Sequence, residues 1–493
     1  MSAGDGVLTS SFATRWRDRA LTPASASRSI GLGLSDPYHL AFPLGFVAVL
    51  LLFALPASLL TFYGLYSETA ADSPLTKFHP ATYFAILGAL FALYGRRNGG
   101  GVTWLLKERP ALAWSLILIL FCAAYSIISV GTSGVAVFVE TFLSAVFLAI
   151  ALGTGTPRQR RLLGYTILAF CVFNVLMSAF EDTIETHFLP VSVGLTQDYD
   201  KGLNEFRGQA LYTHPLTGAL VTSLALFMVL GTRLSGWLKA LLFAAFIVGL
   251  LSFGGRSALV TTLFMITCAA LFQLGLGLAT RHLPVGFLVA FVAGTLFLPV
   301  LFALITTTTD LGARIFSHLY LDNSADERII QWHVLPLLNL RQVLLGVTMD
   351  GVQHLKMQVG LTGAGADIEN PWLLLFLNLG AVGFPLIIAG IFLLLLQLGQ
   401  QANSPLGWLI ITATILICST NNSLGRKAPD LMFLTGIMIS LSGFREGEEA
   451  VTSARPATVF LDPTANLVQA SSVRLRSLTA KPSGQEIRLR SLQ

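Results

Sequence analysis

Long apolar runs alternate with short polar breaks along most of the chain. The runs fall at 40–66, 78–95, 111–130, 134–152, 162–180, 214–232, 237–254, 257–279, 283–305, 371–396, 406–421 and 429–443. Most are close to the length at which a helix crosses roughly 30 Å of hydrocarbon. Barrel-type segments of about ten residues with strict alternation do not recur. The pattern therefore predicts an all-α, polytopic membrane protein with about 12 transmembrane helices. The pair 111–130 and 134–152 is joined by almost nothing, and the last two runs are short.

The polar breaks organise the rest. Residues 1–39 are rich in Ser, Ala and Gly and carry Arg15, Arg17, Arg19 and Arg28. Either a tail or a targeting peptide fits them, and the long first apolar run, which exceeds a signal-peptide core, favours the tail. The domain organisation expected is an N-terminal tail at 1–39, a transmembrane region at 40–443 and a second tail at 444–493. Two large loops, 181–213 and 306–370, interrupt the transmembrane region. The second is the longest polar insertion, with Arg314, Arg328, His333, Asp350, His354, Lys356 and Glu369 between two apolar runs. It is expected to act as a lid over a site at the outer face.

Lysine and arginine set the expected orientation. With the N-terminus inside, the inner loops hold Arg96, Arg97, Lys107 and Arg109, then Arg158, Arg160 and Arg161, then Arg233 and Lys239, then Arg281. The outer loop 181–213 is acidic, with Glu181, Asp182, Glu185, Asp198, Asp200 and Glu205 against Lys201 and Arg207. An even helix count returns the C-terminus inside. Both tails are thus expected in the cytoplasm.

Composition agrees. Hydrophobic residues make up 54% of the 493 residues, charged residues 12%, and the mean hydropathy is +0.71. A soluble domain has about 25% charged residues. The net charge of +5 lies in short loops and tails, where it sets topology, and is no sign of nucleic-acid binding. Cys122, Cys171, Cys268 and Cys418 all fall in apolar segments, which excludes disulfides across the outer loops and suggests small buried side chains.

Basic residues on the expected outer side stand out against that pattern. Arg256 lies in "LLSFGGRSALVTTLF", between two apolar runs. Gly254 and Gly255 permit a tight turn there, and Ser257 is placed to cap the following helix. An arginine at an outward helix start suits a phosphate or diphosphate. The plainer alternative is an arginine that snorkels to headgroups. Arg207 stands seven residues before His214, and Pro215 suits a helix's first turn. Arg207 is either an anion ligand or an interfacial residue, and His214 either a participant or a local hydrogen-bonding group.

Glu369 precedes "NPWLLLFLNLGAVGFPL". It would either activate an acceptor hydroxyl or favour the helix dipole, with Asn370 sharing the second duty. In "SADERIIQWHVLPLLNLRQVLLGV" the apolar and polar positions suit an interfacial segment, with Arg328 at its start free to point back to the site. His354 and Lys356 read as solvated loop residues, and Glu181, Asp182 and Glu185 as a solvated acidic rim. No HExxH, cysteine cluster or Walker A sequence occurs, and the single DxD, Asp198 and Asp200, is a weak metal candidate. No cofactor and no metal are expected.

Three of these stretches resemble the superfamily of bacterial O-antigen ligases and Wzy-type polysaccharide polymerases. "LLSFGGRSALVTTLF" is similar to the family's Ser-Arg-Gly turn, with Arg256 in the arginine position and a glycine where serine usually stands. "ERIIQWHVLPLLNLRQVLLGV" resembles the Arg, Trp and Pro–Leu–Gly region of its long periplasmic loop. "IENPWLLLFLNLGAVGF" resembles its His/Glu-Asn helix start and Gly-x-x-Gly pair. Glu369 stands where ligases generally carry histidine, so the polymerase branch fits better, nearest the VpsF-like exopolysaccharide group. The resemblance covers roughly residues 200–400.

It implies an inner-membrane glycosyltransferase of the GT-C-like kind, working without metal at the periplasmic face. The partners implied are an undecaprenyl-diphosphate-linked glycan and an acceptor glycan. Arg256, Arg207 and Arg328 would bind the diphosphate, and Glu369 would orient or deprotonate the acceptor. Two other readings stay open: a transporter or flippase of a polysaccharide precursor, for which Glu140 inside the fourth run speaks, and a non-catalytic part of a synthesis complex.

Overall fold

A computed structural model describes residues 37–66, 76–95, 100–131, 134–189, 206–280, 329–361, 368–420 and 423–454. The run 283–305, Arg314, Arg328, Asp198, Asp200, Lys201 and most of both tails lie outside them. Among the described residues the chain is all helical, without strands.

The helices are α1 (Ala41–Ala54), α2 (Ala57–Phe62), α3 (Pro80–Tyr94), α4 (Gly100–Glu108), α5 (Pro110–Val130) and α6 (Val135–Leu152). They continue with α7 (Pro157–Ile184), α8 (Pro215–Gly231), α9 (Gly236–Ser252) and α10 (Arg256–Thr280). After them come α11 (Leu340–Leu345), α12 (Met349–Gln358), α13 (Pro371–Ala402), α14 (Pro405–Cys418) and α15 (Asp430–Ala454). Of these, α5, α6, α7, α10 and α13 are long and apolar enough to cross a membrane, and six shorter apolar helices accompany them. This is a helical membrane protein.

Local chemistry starts these helices where the sequence suggests. Proline occupies the first turn of α3, α5, α7, α8, α13 and α14, where its missing N–H has no helical partner to lose. Thr156 and Gln159 form a reciprocal capping box at the start of α7. One expected span divides: the run 40–66 breaks at Pro56, which lacks the amide to continue α1.

The core lies around α6 and α15. The former is 83% buried along its length, and Phe53, Phe142, Phe227, Phe246 and Phe253 fill the space between helices. By contrast, α10 sits at the edge, with only 17% of its apolar stretch buried. Cys268, on this helix, is exposed, whereas the other three cysteines are buried as expected.

The chain runs up and down, so helix ends gather in two layers. At one, Arg160 and Arg161 on α7 donate to Ser442 Oγ (3.3 Å) and the Gly443 carbonyl (3.3 Å), tying α7 to α15. This is the basic end, with Arg109, Arg158 and Arg233. The opposite end, the loop end, carries the starts of α3, α6, α8, α10, α13 and α15.

At the loop end, 329–361 folds onto the start of α13. Val334, Val347, Val352 and Leu355 form a small apolar core with Ile368, Leu373, Leu374 and Leu377. A kink makes the docking possible. Gly380 has φ 63°, and a Cβ there would lie 2.4 Å from the Leu344 carbonyl oxygen. The kink leaves the Leu377 carbonyl to accept from Val347 N at 2.6 Å. Only glycine satisfies both the positive φ and the close approach.

Candidate functional site

The tightest part of the loop end is the turn between α9 and α10. Gly254 takes φ 63°, and a Cβ there would meet the Arg207 side chain at 3.0–3.2 Å, along Cγ, Cδ and Nε. A Cβ on Gly255 would fall 2.2 Å from Ala219 Cβ of α8. The amide of Gly208 donates to the Ser252 carbonyl at 3.0 Å, which pins the segment bearing Arg207 to the end of α9. The structure thus lays the stem of Arg207 over the turn that ends in Arg256. Both arginines are half-buried.

Arg256 is the first residue of α10, so Ser257 lies inside the helix rather than capping it. Its hydroxyl is 3.0 Å from that of Thr420, at the end of α14. Next to Thr420, Ser419 Oγ accepts from Trp372 Nε1 at 2.9 Å. Ser419 and Thr420 therefore join the Arg256 turn to the start of α13, where Glu369 and Asn370 stand. Sequence reading passed over this hub because two hydroxyls after an apolar run carry no signal of their own.

Asn370 caps α13: its Oδ1 accepts from the amides of Trp372 (3.0 Å) and Leu373 (3.1 Å). Its own amide donates to Oε1 of the buried Gln331 at 3.1 Å, so the 3-10 turn Gln331–Leu337 is fastened to the helix start. Asn370 thereby has a structural duty, and Glu369 beside it is left half-buried without being the cap. His214 likewise caps a helix: its Nδ1 accepts from Leu216 N at 3.1 Å at the start of α8.

Two further sequence readings are corrected. Glu181 is not part of a solvated rim: it is 0% exposed. Its carboxylate accepts from the amides of Phe188 (3.1 Å), Gln209 (2.6 Å) and Ala210 (2.7 Å), and His187 lies 3.9 Å away. It fastens the segment that carries Arg207. Asp182 is half-buried and Glu185 exposed, as a rim requires. Lys356 is likewise no solvated loop residue, being only 7% exposed, while His354 is exposed. Burial, with the charge of Arg426 adding to it, holds the Lys356 ammonium below the usual lysine range.

Glu140 heads a second polar cluster. It sits in a widened π-helical turn of α6, Phe138–Leu143, close to the loop end. Lys427 Nζ lies 3.6 Å from Glu140 Oε2, and Tyr66 donates to Oε1 at 3.0 Å. The ammonium also lies 4.2 Å from the centre of the Tyr66 ring and donates to the Lys77 carbonyl at 2.8 Å. The adjacent Thr141 hydroxyl donates to the Arg426 carbonyl (2.6 Å) and accepts from Ala428 N (3.1 Å). The wide turn thus grips three consecutive residues of the α14–α15 loop.

The helices α8, α10 and α13 all begin at this end, so their positive dipole ends and the two arginines favour an anion there. Among the described residues no three His, Cys, Asp or Glu side chains gather as a metal set. No protein-family model matches the chain, and no curated protein matches it.

Proposed function

We propose that the protein polymerises or transfers a glycan carried on undecaprenyl diphosphate, at the periplasmic face of a bacterial inner membrane, with both termini in the cytoplasm. The observation that carries the reading is the packing of Arg207 over the Gly254–Arg256 turn at the loop end. Two guanidinium groups beside helix starts match the charge and the planar hydrogen-bonding geometry of a diphosphate. Excess lysine and arginine at the other end supports the orientation.

In this reading an acceptor hydroxyl oxygen attacks the anomeric carbon of the lipid-linked sugar. The bond from that carbon to the diphosphate oxygen breaks, and its electron pair leaves on the phosphate. Arg256 and Arg207, with Arg328 as a further ligand, offset the charge that develops. Glu369 receives the acceptor's proton, a role open to it because Asn370 performs the capping. His214 and Asn370 hold helix starts in place. Residues 329–361 cover the site, and Trp332, exposed on that cover, is available to stack on a sugar ring.

The transport reading leaned on Glu140 as a charge near the midplane. Glu140 lies near the loop end in an ion pair, so it no longer favours transport over transfer. The test is purified full-length protein given a lipid-linked repeat unit. Longer glycans and released undecaprenyl diphosphate are expected. Intact substrate with the lipid moved across a bilayer would replace transfer with transport, and neither outcome would favour a non-catalytic part of a synthesis complex.

A further inference from the structure

Asp430, the first residue of α15, is 0% exposed, and no backbone amide donates to either of its carboxylate oxygens. An aspartate at a helix start ordinarily accepts from the amides of its own first turn. Here those amides are taken, because Met432 N (2.8 Å) and Phe433 N (3.1 Å) both donate to the Pro429 carbonyl. The carboxylate instead faces the hydroxyls of Ser423, after α14, and Thr217, in the first turn of α8, with the Cys418 thiol beside it. Three chain segments thus converge oxygen atoms on one buried point.

A carboxylate held there by hydroxyls alone is costly, since burying a charge without a counter-charge forfeits its hydration. Among the described residues no arginine or lysine acts on it. We infer that Asp430, Ser423 and Thr217 form the site of a monovalent cation of sodium's size. Hard cations take oxygen ligands, and carboxylate and hydroxyl oxygens suit them. A single positive charge neutralises the single carboxylate, whereas a divalent ion would leave net charge in a buried place. The cation would bind the start of α15 to α8 and to the segment after α14, through Thr217 in the turn that His214 caps and through Ser423, three residues beyond Thr420. This inference stands apart from the glycan reading and does not need it.

The test is thermal unfolding of the full-length protein in detergent, at constant ionic strength, with choline chloride replaced stepwise by sodium chloride or potassium chloride. A ligand that binds only the folded state raises its unfolding temperature in a saturable way. The expected result is a saturable rise of a few degrees with sodium and a smaller one with potassium. Asp430→Asn removes the charge at constant shape, so its unfolding temperature should no longer respond to sodium. The pair Thr217→Val and Ser423→Ala should shift the response to higher sodium while leaving the carboxylate. A wild-type unfolding temperature that ignores the cation would overturn the inference, and so would an unchanged sodium response in Asp430→Asn. Stabilisation by acid alone would also overturn it, assigning the site to a proton.

Discussion

Two charged clusters share the loop end, and they are built in opposite ways. Glu140, Lys427 and Tyr66 form a closed set: a buried negative charge, a positive charge 3.6 Å from it, a donated hydroxyl and an aromatic face. Arg207 and the Arg256 turn bring together two charges of one sign, with the stem of Arg207 laid against Gly254. The first arrangement meets its own electrostatic needs and fixes a loop. The second gathers positive charge beside helix starts, which is what an anionic ligand requires. A charge in a membrane protein is therefore poorly classified by its presence alone. Its neighbours decide whether it serves the fold or a ligand.

The sharpest way to break this contrast is Lys427→Ala. It strands Glu140 in the interior, and removing one partner of a buried pair costs about 3–5 kcal/mol. Chemical or thermal unfolding in detergent measures the loss. The double variant Glu140→Leu with Lys427→Met should recover most of it, since an apolar pair of similar volume needs no compensation. If Lys427→Ala unfolds like the wild type, the cluster is not the closed structural unit described above.

Gly254→Ala probes the other cluster. A residue with Cβ at φ 63° is strained by about 1–2 kcal/mol, and the new methyl would also press on the stem of Arg207 at 3.0 Å. The expected loss of stability should persist when Arg207 is also replaced by alanine, because the backbone strain remains. Only the part due to the displaced stem should return. A double variant as stable as the Arg207→Ala single would place all of the effect in the side-chain contact.

The sequence made some of this visible and hid the rest for identifiable reasons. Proline and cap residues marked the starts of α8 and α13 within a residue, because those signals act within one turn, whereas α7 begins at Pro157, ahead of the apolar run at 162. Asn370 was legible as a cap and Gly254 as a turn. The pairing of Arg207 with that turn was not, since it depends on how two segments almost fifty residues apart pack. Glu181 looked solvated because its partners are backbone amides, which leave no trace in side-chain identity. Lys356 looked like a loop residue for a similar reason: its burial comes from a small core built by residues on both sides of it. Asp430 gave no signal either. An aspartate before an apolar run reads as a cap, and only the occupied amides show that it is not one.

Arg256→Lys tests the arginine cluster with its charge retained. The residue is half-buried at a helix start, and stability should change by about 0.5 kcal/mol or less. Glycan transfer should fall at least about tenfold, equivalent to about 1.4 kcal/mol of barrier, because an ammonium does not reproduce the guanidinium fork. Polymer length and yield in cells, read beside protein abundance, separate the two effects. Unchanged polymer at normal abundance would mean that charge alone suffices, as an anchoring arginine requires.

The neighbouring pair Glu369 and Asn370 carries the contrast down to two adjacent residues. Asn370→Ala removes the acceptor for the Trp372 and Leu373 amides and should cost about 1 kcal/mol. Transfer should follow only as far as the helix start is loosened. Glu369→Gln should change stability by about 0.5 kcal/mol or less, yet abolish transfer if its carboxylate takes the acceptor's proton. The amide keeps the shape and loses the basicity, so a structural Glu369 would leave the rate alone. Should the two variants exchange behaviours, with Glu369→Gln unfolding more easily and Asn370→Ala losing only activity, the division of labour at the start of α13 would be reversed. The base would then have to be sought elsewhere at the loop end.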